Sequence, residues 1–142
     1  MIDITSGTRH LKLTPYERLN EPEEPAYCRI MVWVEFSVPA LETEFAAEFF
    51  VGQLEQSRND MYDFYQAIKN GMKFKDINLI SAFDQVALKF HHAHFAGTVG
   101  VSMVLKPENN ADSITLEDSF DIDESYFPGL LSGLDDMISW QN

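Results

Sequence analysis

The stretch Cys28–Val38, CRIMVWVEFSV, constrains the fold more than any other part of the chain. Its even positions, Cys28, Ile30, Val32, Val34, Phe36 and Val38, are all apolar, the period of two that belongs to a strand with one face on a core. Met31 and Trp33 on the opposite face imply that this side is partly covered as well. After a turn at Pro39 the alternation resumes over Leu41–Val51, LETEFAAEFFV. Leu41, Phe45, Ala47 and Phe49 point one way, and Glu42, Glu44 and Glu48 point the other.

Elsewhere the period shifts. Residues 1–27 hold one short strand-like piece, His10–Pro15, and then the loop Leu19–Tyr27, LNEPEEPAY, which prolines and glutamates make exposed and irregular. Leu54, Met61, Phe64, Tyr65 and Ile68 recur at helical spacing across Leu54–Gly71, with Gly71 as the natural stop. Strand-like stretches return at Asn78–Phe83, Gln85–His94, Phe95–Leu105 and Ser113–Ile122, and PENNADS (Pro107–Ser113) reads as a hairpin loop. The last element is helical. Phe127, Leu130, Leu131, Leu134 and Ile138 form its apolar stripe, and Pro128 fits its first turn. Gly129 and Gly133 stand where better helix formers are expected, which weakens it.

The order strands, helix, four strands, helix predicts one α+β domain over residues 1–142, with antiparallel sheets covered by two helices. It loosely resembles a doubled ββββα unit, the layout of Whirly-type single-strand DNA-binding folds. For that layout to be complete, a fourth strand of the first half has to lie within residues 1–10.

Charge argues against the nucleic-acid function of that analogy. The chain has 23 acidic residues against 10 Lys and Arg, a formal net charge of −13. Phosphate binding needs clustered cations, so neither nucleic acid nor an anionic membrane is an expected partner. A strong negative field favours a basic protein and speeds encounter with it. Cys28 is the only cysteine, which permits no internal disulfide. The polar start MIDITSGTRH carries no apolar leader segment, and a cytoplasmic protein is expected.

Three chemical readings fail on spacing. The histidines of HHAH cannot converge on a metal from a strand, because His92 and His94 share a face while His91 points away. The segment DSFDIDES (Asp118–Ser125) lacks the glycine and the terminal glutamate of a calcium loop: counted from Asp118, the sixth residue is Asp123 and the twelfth Gly129. Paired catalytic acids need one carboxyl in a desolvated pocket, yet Glu42, Glu44, Glu48, Glu117, Asp121 and Asp123 fall on polar strand faces. Cys28 on its apolar face reads as a buried, inert thiol. No enzyme activity, metal or cofactor is expected; a small metal-dependent enzyme using His92 and His94 is the reading that metal analysis would test.

Two stretches carry a resemblance. LKLTPYER (Leu11–Arg18) is a strand running into a Pro-Tyr turn. FDIDESYFPGLLSGLDDMI (Phe120–Ile138) is a strand, an acidic turn and an amphipathic helix that opens on an aromatic-Pro pair. With the order of elements between them, the chain resembles bacterial immunity proteins of the WapI-like group. The resemblance implies a cytoplasmic antidote that binds the C-terminal toxin domain of a large contact-dependent growth inhibition effector, as a 1:1 heterodimer. Many such toxins are nucleases, RNases in particular, with basic clefts that a strongly acidic protein can occupy.

Two acidic patches are the expected contact surfaces. One is Glu42, Glu44 and Glu48; the other is Glu117, Asp118, Asp121, Asp123 and Glu124. A competing surface is the loop Glu21, Glu23 and Glu24 with Tyr27 and Trp33. Within LEDSFDIDESYF (Leu116–Phe127), Leu116, Phe120 and Ile122 point inward and Glu117, Asp121 and Asp123 outward. Asp118 breaks that alternation, so a bulge, a strand end or a specific partner is expected there. The competing functional reading is an acidic adaptor or assembly subunit for a protein that is not a toxin.

Overall fold

The alternating segments become strands that pair only with their neighbours in sequence. A computed structural model describes residues 1–93, 95 and 97–142. Strands β1 (Ile2–Ser6), β2 (Arg9–Leu19), β3 (Arg29–Val38) and β4 (Leu41–Phe50) form an antiparallel sheet, A, in that order, and helix α1 (Val51–Lys69) follows. Strands β5 (Ile77–Ile80), β6 (Val86–His92), β7 (Thr98–Leu105) and β8 (Leu116–Asp123) repeat the pattern as sheet B, and helix α2 (Phe127–Ile138) closes it. The fold is α+β and is a doubled ββββα unit, the missing strand being β1.

Each sheet turns one face inward. Ile30, Val32 and Val34 of sheet A, Leu88, Phe90 and Val101 of sheet B, Leu54 and Phe64 of α1, and Phe127 and Leu134 of α2 join one buried cluster. Burying each such side chain stabilises the fold by about 1.5–3 kcal/mol. Aromatic stacking adds direction: Phe127 lies between Phe64 (5.8 Å) and Tyr65 (5.2 Å), tying α2 to α1.

The helices also close sheet edges. α1 packs along β5, where the buried Ser57 hydroxyl donates to the Asn78 carbonyl oxygen at 2.7 Å. α2 packs along β1. Gly133 permits this approach, because a Cβ there would overlap the Met1 carbonyl oxygen. β1 is further tied to the second half through the Ser6 hydroxyl, which donates to the Asp121 carbonyl oxygen at 2.8 Å, and through the Tyr126 hydroxyl, which donates to that of Thr5. Each helix thus protects backbone groups at an edge strand of the other half or the adjoining sheet.

Several boundaries differ from expectation, each for a physical reason. The first 27 residues hold two strands and a 3-10 turn (Pro25–Tyr27), where one strand was expected. β1 is only a few residues long, so its alternation is brief. β2 continues past Pro15, which cannot donate to a ladder, because the pairing with β3 shifts between Pro15 and Glu17 in a bulge. α1 begins directly at the end of β4, and β5 stops at Ile80. There the chain turns through Phe83 (φ 59°) and Asp84 (φ 53°), both left-handed, before β6. β7 starts at Thr98, and the expected strand end at His94 lies outside the described residues. Leu41, expected inward, is 43 % exposed at the start of β4. Among the described residues, no helix is long and apolar enough to cross a membrane.

Candidate functional site

The register of sheet A decides which side chains share its outer face. Asp3, Lys12, Glu35 and Glu44 form one cross-strand row, and His10, Ser37 and Glu42 lie in the row beside it. On the other side come Thr14, Trp33 and Ala46, then Glu17, Met31 and Glu48. None of these is buried. The odd face of β3 was expected to be partly covered; Met31 is half-buried there, while Trp33 remains 39 % exposed. Tyr16, the extra residue of the β2 bulge, follows buried Pro15 and is 45 % exposed.

Local contacts hold this face in place. The Trp33 indole N–H donates to the Glu44 carboxylate at 3.2 Å. Arg29 pairs with Glu48 at 3.0 Å, and His10 with Asp3 at 2.7 Å. Glu35, Ser37, Glu42 and Glu44, with His10 and Lys12, line a shallow recess of about 210 Å³. The face therefore brings together the first predicted patch, Glu42, Glu44 and Glu48, and the Trp33 that was assigned to a competing surface.

Tyr27 joins them from the side. Its ring meets Phe50 edge-on at 6.1 Å, and Phe50 stands opposite Arg29 at the end of β4. Glu21, Glu23 and Glu24 precede it in the exposed loop. That loop is fixed by Cys28, whose buried sulfur accepts from the Glu21 N–H at 3.2 Å.

The second patch divides. β8 alternates as expected, with Phe120 and Ile122 buried, Leu116 half-buried, and Glu117, Asp121 and Asp123 exposed. Its pairing with β7 is regular through Asp118, so no bulge forms. Asp118 instead accepts from the Arg9 guanidinium at 2.5 Å, bridging sheet B to the start of β2 in sheet A. This contact holds the Arg9 guanidinium above its ordinary pKa, through the hydrogen bond first and the charge second. Asp118 is therefore engaged within the fold, not offered outward. Asp123 accepts from the hydroxyl and N–H of Ser125, which hold its carboxyl below the usual range. Glu117, Asp121 and Glu124 remain as exposed acids of this patch.

The histidines separate as strand alternation requires. The His91 ring lies on the outer face of sheet B against Gly100, in space a Cβ would fill, with Nε2 3.4 Å from the Ser102 hydroxyl. His92 turns inward, stacked on Phe64 at 4.7 Å. His94 lies outside the described residues. Among the described residues, no three His, Cys, Asp or Glu side chains converge as a metal cage.

Sequence reasoning missed Glu35, Glu17 and Tyr16 as members of the face. Glu35 was legible from the odd face of β3, since it follows Trp33 by one strand period. The bulge that frees Tyr16 and Glu17 was not legible, because only the pairing with β3 defines it. No protein-family model, curated protein or solved structure matches the chain.

Proposed function

We propose that this chain is an immunity protein. It binds and neutralises the C-terminal toxin domain of a contact-dependent growth inhibition effector, a nuclease and by preference an RNase, and so protects the producing cell. The observation that carries the reading is an open sheet face where carboxylates surround an exposed tryptophan, in a chain of net charge −13. A nuclease cleft holds phosphate with Lys and Arg, and an acidic protein surface competes for those same side chains. Neutralisation is by binding at 1:1, without catalysis by this chain.

The test is co-expression with the C-terminal domain of the large effector encoded beside it. Growth rescue and co-purification at equal stoichiometry are expected. A chain that neither rescues growth nor co-purifies with that domain is not its antidote. An acidic adaptor for some other basic protein would then be the surviving reading, since it calls on the same surface chemistry.

A further inference from the structure

We infer that the outer face of sheet A, centred on Trp33, is the surface that grips a protein partner presenting Lys and Arg side chains. This rests on the immunity reading and narrows it to one face. The side chains of its rows are exposed or half-buried, and none is buried. Tyr16 and Trp33 are rigid aromatics exposed on adjacent strands, with Met31 beside them and Glu35, Glu44 and Glu48 around them. Aromatic anchors within a ring of charge are what concentrate binding energy in protein interfaces.

The face also breaks a local rule. Glu35 and Glu44 stand directly opposite each other on β3 and β4. Like charges so placed destabilise a sheet. Among the described residues neither carboxylate forms an ion pair, and Glu44 is met only by the Trp33 indole N–H. Lys12 stands opposite Glu35 on its other side and offsets part of that charge, whereas Glu44 has no cation opposite it in the row. A guanidinium or ammonium placed between the two carboxylates would turn their repulsion into attraction.

The same charges select the occupant. A second copy of this chain would bring its own carboxylates against these, and nucleic acid would bring phosphate. A basic protein surface is complementary. Sheet B offers a weaker alternative: Asp118 is engaged with Arg9, Asp123 with Ser125, and its outer rows place Lys89 and His91 beside Gly100, Ser102 and Ser119, with no Trp, Tyr or Phe in those two rows.

The test uses the effector's toxin domain, titrated with the full chain and with folded variants checked by circular dichroism. Glu35→Lys/Glu44→Lys is expected to weaken binding by about 100-fold or more, and Trp33→Ala by roughly 10- to 100-fold. Glu117→Lys/Asp121→Lys on sheet B is expected to stay within about threefold of the parent, as exposed charges outside an interface do. Glu44→Thr separates binding from folding: it should raise the melting temperature of the free protein by roughly 1–3 °C while weakening the complex. Carbodiimide labelling of the unsubstituted complex gives a readout independent of any variant, with Glu35 and Glu44 protected by the partner. If the parent chain binds but the sheet A variants bind equally well, or Glu35 and Glu44 label freely in the complex, the face is wrong and the immunity reading stands. If the parent chain does not bind, both fall.

Discussion

Gly129 and Gly133 lie one turn apart in α2 and do opposite things. The space beside Gly129 is open, whereas a Cβ on Gly133 would meet the Met1 carbonyl oxygen and the Ile2 side chain. Gly129→Ala should therefore stabilise the protein by about 0.5–1 kcal/mol through helix propensity alone. Gly133→Ala should destabilise it by roughly 1–3 kcal/mol, because β1 must move away. Urea unfolding of the two variants measures both, and equal effects would show that the approach of β1 is not what holds Gly133. In the sequence both glycines read alike, as weak points of a helix. A close contact with a strand from the far end of the chain leaves no local mark, whereas the identity of the apolar stripe does.

At the scale of elements, a neutral imidazole helps to hold the segment between α1 and β5. The Phe74 N–H donates to His92 Nε2 at 2.9 Å, which places the ring proton on Nδ1. Burial and then Lys73 lower the His92 pKa below its ordinary value, and the pull of Asp76 in the other direction is smaller. Phe64 stacks on the same ring and also meets Phe74 edge-on at 6.3 Å. The native state therefore binds fewer protons than the unfolded chain as pH falls below about 6.5, where an unperturbed histidine titrates. The stability this histidine supplies is present above that pH and is lost as pH falls through the depressed native value. His92→Gln keeps an acceptor for Phe74 but cannot titrate, so its melting temperature should fall less than the parent's between pH 7 and 5. Parallel curves for the two proteins would remove His92 from the account. The inward direction of His92 was legible from strand alternation. Its partner was not, because Phe74 sits in a connection with no periodicity to read.

For the molecule as a whole, alternation was enough to predict α+β architecture and to sort β3, β4 and β8 into inward and outward rows. What it could not do was place those rows beside one another. Glu42, Glu44 and Glu48 belonged with Trp33 only once β3 and β4 were in register, and Asp118 left the exposed group only once the β1–β2 turn brought Arg9 to it. The topology also makes a prediction. α2 and β1 belong to different halves, yet α2 covers β1. A chain truncated after Tyr126 keeps every strand of both sheets and should nonetheless aggregate, with β1 amides that exchange rapidly with solvent. A truncated chain that stays monomeric, with β1 amides protected, would show that α2 is not the cover.

That crossing has a consequence for how the protein is made. Translation delivers β1 ahead of α2, so this strand leaves the ribosome before its cover exists. Between the two the nascent chain carries an unprotected strand edge, a period in which chaperones or aggregation compete for it. That edge closes when α2 docks on β1. A polypeptide interrupted between β8 and α2 therefore holds the strands of both sheets and lacks the element that covers β1.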